Sequence, residues 1–285
     1  MDIRLGYIKR TELGNEFVFI ENLSQEKYND IKNANENVGQ IRDHRYLFKI
    51  VEENYLALNN FVNDALEKLI EDFDTITDSS TVHRNNIYLN FNRHLLNYLS
   101  SLRTFIDHAK TNFSKRYGSN SLELEKLNSI LNTNYENSFA YRFLYKLRNY
   151  SQHCGLPVED IYFSFENDIN TKKTSGDLEL NFNRDLLLHK YDSWGKVKKD
   201  LTETSNLFKV IPLIKEIMQI LTDTSIEIEG IIRNSIKNSI ELIENILNKH
   251  KIGDNKICIF YDIKKRETSK GLILNIEEIN FYNTE

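Results

Sequence analysis

Thirteen arginines and seven histidines are spread over 285 residues. Three times a histidine follows an arginine after four intervening residues: Arg103…His108, Arg148…His153 and Arg184…His189. The two side chains supply complementary chemistry. A guanidinium stays charged and can hold a phosphate with two parallel hydrogen bonds. An imidazole titrates near neutrality and can move protons. Spacing alone selects none of the three, because this composition yields about one match by chance when four to six intervening residues are allowed. Their setting has to separate them.

The elements that carry these pairs are legible from periodicity. Residues 16–21 read as a short strand in an N-terminal segment. Apolar residues at helical spacing from about Tyr46 to Phe73, including Val51, Leu58, Ala65 and Leu69, predict a first helix. Asp78-Ser79-Ser80-Thr81 supplies N-cap residues for a second, with the stripe Phe91, Leu95, Tyr98, Leu99, Leu102, Ile106, Ala109 and Phe113, ending near Tyr117-Gly118. A third helix fits Leu122 to Leu131, and a fourth runs from about Glu136 to His153, stopped by Gly155-Leu156-Pro157. Alternation then takes over. Ile161, Phe163 and Phe165 face Leu178, Leu180 and Phe182 across the polar turn Asn167 to Gly176, which predicts a hairpin. Helical spacing returns from about Leu207 to Leu247, with a break expected at Thr222 to Ser225. Ile257 to Ile263, then Leu272 to Phe281, predict a second hairpin. The expected fold is mainly α, a helical bundle with small β-hairpin additions. Its segments are residues 1–43, a bundle at 44–157, and 158–285.

Arg184…His189 leaves the predicted hairpin and reads as surface chemistry. Arg103…His108 lies inside the second helix, where Arg103 flanks the apolar stripe and His108 points away from it. A solvated face explains that pair, with Arg103 kept as a supporting residue. Arg148-Asn149-Tyr150-Ser151-Gln152-His153 closes the fourth helix. Phe139, Phe143, Leu147 and Tyr150 form its core stripe, with His153 near the edge. Tyr141, Leu144, Tyr145, Arg148 and Gln152 lie opposite. Aromatic residues on an outer face predict that more protein or a partner covers it.

An arginine followed directly by asparagine, then by histidine, at the end of the fourth helix of a bundle resembles the HEPN superfamily. The likeness covers the bundle and does not extend to the hairpins or the C-terminal helices. It implies a homodimer in which two copies of the motif line one cleft. It also implies metal-independent cleavage of RNA, the 2′-hydroxyl attacking the adjacent phosphorus, with no cofactor. Arg148 would then stabilise the pentavalent transition state, and His153 would move protons. Asn149 would position the phosphate or fix the histidine, with Arg103 and Gln152 in support. The subtype controlled by a nucleotidyltransferase antitoxin often carries a tyrosine two residues after the histidine. Here that position is Gly155, so control by nucleotidylation at it is not expected.

The same residues admit a structural role. Arg148 can pair with a glutamate, and a cationic His153 suits a helix C-terminus. Composition narrows the rest. A net charge of −5 argues against clamping a long duplex and restricts any nucleic-acid contact to a few local phosphates. No phosphate-binding glycine loop, HExxH, GxSxG or CxxC occurs. Cys154 and Cys258 are too few for a disulfide framework or zinc site and read as free thiols. No apolar run suits a membrane span or a secretory signal, so a cytoplasmic protein is expected. The expected function is a ribonuclease serving as a toxin or antiviral defence effector, with RNA as substrate and a regulatory protein as a candidate partner. A catalytically silent HEPN-like binding or scaffold module is the alternative, and a structural assembly protein using its C-terminal helices is a third reading.

Overall fold

Two prolines and ten glycines leave long stretches free to remain helical, and helices dominate the computed structural model. It describes residues 2–12, 14–72, 76–168, 173–250, 256–265 and 272–279. In chain order the elements are β1 (Arg4–Thr11), β2 (Gly14–Asn22), α1 (Gln25–Glu71), α2 (Ile76–Tyr117), α3 (Leu122–Asn137), α4 (Phe139–His153), β3 (Val158–Asp168) and β4 (Lys173–Asn183). They continue as α5 (Arg184–Lys190), α6 (Val197–Glu203), β5 (Leu207–Lys209), α7 (Val210–Ser235), α8 (Lys237–Lys249), β6 (Ile257–Lys265) and β7 (Leu272–Glu278). Among the described residues no helix is long and apolar enough to cross a membrane.

Two compact units divide the chain. One joins Met1–Arg45 to Glu229–Glu285, and the other is Tyr46–Ile228. These units group the chain by contact and so differ from the expected segments 1–43, 44–157 and 158–285, which follow chain order. The cause is a pairing between distant strands. β1 pairs antiparallel with both β2 and β6, giving a sheet of order β2-β1-β6-β7. β1 was not foreseen, since Gly6, Lys9 and Arg10 blunt its alternation. A Cβ at Gly6 would strike the Val18 carbonyl, so the irregularity between Leu5 and Gly6 requires glycine. Phe17 and Phe19 meet Phe260 edge-on at 5.6 and 5.3 Å.

The second unit holds the bundle. Every residue of the predicted α2 stripe is buried. Val51, Leu58, Ala65 and Leu69 of α1 are buried too, and Phe48 and Tyr55 pack on Phe105 and Tyr98 of α2. A three-stranded antiparallel sheet, β3-β4-β5, follows the bundle. Its anchor is Asn92 of α2, fully buried, whose Nδ2 donates to the Val158 carbonyl at 2.8 Å while its Oδ1 accepts from the Val158 N–H at 3.1 Å.

Element boundaries moved for identifiable reasons. α1 begins at Gln25 rather than near Tyr46, because Ile31, Ala34, Val38 and Ile41 carry its buried stripe toward the N-terminus. Phe73 lies outside the described residues, as do Phe281 and the tip of the first hairpin turn at 169–172. α2 already includes Asp78 to Thr81 instead of being capped by them. α3 continues to Asn137, and Ser138 separates it from α4. Leu207–Lys209 is a strand, not the start of a helix. α7 runs unbroken through Thr222 to Ser225. There the Thr222 and Thr224 hydroxyls donate to the carbonyls of Met218 and Ile220 four residues back, which keeps polar side chains compatible with the helix.

Candidate active site

The Arg148–His153 segment forms the last turns of α4. Ser138 starts that helix, its Oγ accepting from the Tyr141 N–H at 3.0 Å. Cys154 closes it, its N–H donating to the Tyr150 carbonyl at 2.8 Å, and Gly155 at φ +134° turns the chain away. α4 therefore ends where the sequence stop signals place it.

Both sides of α4 are covered by its own chain. On one, Phe143 meets Phe182 at 5.1 Å and Trp194 at 5.8 Å, and Tyr150 stacks on Trp194 at 5.9 Å. Trp194 is fully buried, with its indole N–H donating to the Leu187 carbonyl. Burial pushes the Tyr150 phenol up to about 12, and its hydroxyl has no hydrogen-bond partner among the described residues, which makes it a packing residue. On the other side, Tyr141 and Leu144 are 2% and 0% exposed, against α2 and α3. Their apolar character predicts further protein or a partner over this face. The further protein is the rest of the bundle, so these two residues do not call for a second subunit.

The three Arg–His pairs now separate by charge. Arg103 donates from Nε to Asp107 at 2.7 Å, with its guanidinium carbon 3.9 Å from the centre of the Tyr145 ring. His108 is exposed. Arg184 donates to Asp185 Oδ1 and to the Thr204 carbonyl, both at 2.8 Å, pinning α5 to the end of α6. That pair stands on the short helix α5, directly after the hairpin. Arg148 differs from both. Its Nη1 donates to the neutral amide oxygen of Gln152, and among the described residues no carboxylate pairs with it. Its Nε is covered and has no acceptor among the described residues. The glutamate pairing that would have made it structural is not made.

His153 is exposed on the last turn, and Asn149 is half-buried. No hydrogen bond joins them, so Asn149 does not fix the histidine in this state. Five residues along a helix, Arg148 and His153 are turned about 140° from each other. One chain therefore presents a cation and a proton carrier on different faces of α4. Arg103 stands beside Tyr145, a turn before Arg148, which puts the supporting arginine on Arg148's side with its charge already paired. Tyr135, Lys110 and Lys146, which border a groove together with Tyr145, come from three helices and share no spacing, so no local pattern marks them. Among the described residues no group of three His, Cys, Asp or Glu side chains is placed to hold a metal ion. Both cysteines are free thiols, Cys154 partly exposed and Cys258 buried.

The chain matches no family model, no curated protein and no solved structure. The functional reading therefore rests on the site's own residues.

Proposed function

We propose that the Tyr46–Ile228 unit is a HEPN-like ribonuclease that works without metal, in the cytoplasm, as a toxin or antiviral defence effector. The observation that carries this reading is the unneutralised Arg148. Of the three arginines at motif spacing, it alone has no carboxylate among the described residues, and a guanidinium left with a neutral partner can take a phosphate without first breaking an ion pair. In the proposed reaction the RNA 2′-oxygen bonds to phosphorus and the bond to the 5′-oxygen breaks, leaving a 2′,3′-cyclic phosphate. A proton leaves the 2′-hydroxyl and another reaches the departing 5′-oxygen. His153 carries one of these transfers, and Arg148 offsets the charge on the phosphoryl oxygens. The divergence of the two side chains around α4 fits a homodimer in which a second motif faces the first, one imidazole taking and the other giving a proton.

The test is cleavage of single-stranded RNA by the purified chain in EDTA. Cleavage with cyclic-phosphate ends, slowed about 100- to 10,000-fold by His153→Ala, is the expected result. A folded His153→Ala protein that cuts at the wild-type rate refutes it. The same divergence favours a second reading, a catalytically silent binding module. That reading predicts RNA binding with no cleavage by any assembly state.

A further inference from the structure

One turn before Arg148, α4 borders a groove of about 390 Å³, within the size range of small-ligand clefts. α2 contributes Ile106 and Lys110, α3 contributes Leu131 and Tyr135, and α4 contributes Tyr145 and Lys146. Ile106 and Leu131 are buried and supply an apolar floor, while Tyr135 is half-exposed at the wall. The charges are unbalanced. Glu136 at the rim is neutralised by Lys196 at 2.8 Å, and Asp107 by Arg103 at 2.7 Å. Lys110 and Lys146 make no ion pair among the described residues. Two uncompensated ammonium groups thus flank an aromatic cleft on a chain whose net charge is −5. The Arg103 guanidinium lies against Tyr145 and steadies that ring. Tyr135 has no ring partner among the described residues, which leaves its face available to a planar guest.

We propose that this groove binds single-stranded nucleic acid, with one base stacked on Tyr135 and the neighbouring phosphates on Lys110 and Lys146. An unpaired strand offers what the groove lacks, a free π-face beside separated negative charges. A duplex keeps its base faces internal and offers only backbone. An acidic peptide would use the lysines but has no need of the tyrosine. Tyr145 and Arg148 are three residues apart on α4, so a strand leaving the groove along the helix reaches the arginine. That continuation rests on the ribonuclease reading, whereas the groove's own composition does not.

The experiment measures fluorescence anisotropy of a labelled short oligouridine with the full chain carrying His153→Ala to prevent cleavage. Oligothymidine and a hairpin duplex are run in parallel. Single strands should bind, and Tyr135→Ala should weaken binding about 10-fold while Tyr135→Phe preserves it. Lys110→Gln combined with Lys146→Gln should flatten the slope of log K against log salt by about 1.4, roughly 0.7 for each lost phosphate contact. Equal binding of oligothymidine assigns recognition to base and phosphate, and preference for RNA adds the 2′-hydroxyl; either result supports the groove. No binding at low salt, preference for duplex, or indifference to both sets of substitutions overturns it. Wild-type protein that cleaves RNA with KM and salt dependence untouched by these substitutions keeps the ribonuclease reading and loses the groove. A chain that binds through the groove yet cuts nothing keeps the groove and loses the ribonuclease.

Discussion

Replacing Arg148 by methionine separates a catalytic arginine from a structural one, because the two roles predict opposite patterns of stability and rate. Among the described residues the guanidinium makes one hydrogen bond, to Gln152, on a half-buried side chain. Such a bond contributes about 0.5–1.5 kcal/mol to stability. Against it stands the covered Nε with no acceptor, an unmade bond that costs about 1–3 kcal/mol. Methionine keeps an apolar stem against the same neighbours. The net change lies between about 2.5 kcal/mol of stabilisation and about 0.5 kcal/mol of destabilisation. Taking 2–4 °C per kcal/mol for a unit of this size, Tm should hold within about 2 °C or rise. Cleavage, in contrast, should fall about 100- to 1,000-fold with the loss of a group that stabilises the transition state. The assay pairs thermal melting with single-turnover cleavage of labelled RNA on the same preparation. A Tm drop beyond about 5 °C would show that the guanidinium holds the bundle together. A wild-type cleavage rate in the folded variant would refute its role in the chemistry.

Arg184→Ala should leave cleavage unchanged, because its guanidinium serves Asp185 and the Thr204 carbonyl; loss of kcat in a folded variant would mean that the wrong Arg–His pair was chosen. Asn92→Ala strands the buried N–H and carbonyl of Val158 and should lower unfolding free energy by about 2–5 kcal/mol in urea. A change below about 1 kcal/mol there would indicate that water replaces the amide. Burial raises the Glu229 carboxyl, but hydrogen bonds from Arg45 and Arg233 outweigh it, so its pKa lies below the ordinary glutamate value. Its contribution is therefore present above the ordinary value and lost as pH falls through the depressed one. Wild type and Glu229→Gln should converge in Tm in acid, and a gap that stays constant as pH falls contradicts this. Burial pushes the Cys258 thiol up to about 11, so a thiol reagent should label Cys154 quickly in the native chain and Cys258 only on unfolding; equal rates would refute the burial.

Local order was legible because it repeats at short range. The α2 stripe, the end of α4 at Gly155 and the alternation of β3 and β4 each follow from spacing within one segment. The residue types of the Arg148–His153 segment, and its place on a helix end, were readable in the same way. By itself the sequence determined a mainly helical chain with short antiparallel additions, free thiols and no dense positive charge.

Tertiary structure decided what depends on partners far along the chain. β1 becomes a strand through Ile257 to Phe260, more than two hundred residues away, and that pairing joins the two ends of the chain in one unit. Tyr141 and Leu144 face outward on a helical wheel but are buried on α2 and α3. The three Arg–His pairs are identical in spacing, yet among the described residues carboxylates reach Arg103 and Arg184 and not Arg148. Lys110, Tyr135 and Lys146 meet in a groove only once three helices pack. Periodicity reports which face of an element is apolar. The neutralisation of a charge, or the covering of a ring, is set by distances between elements that no local pattern encodes.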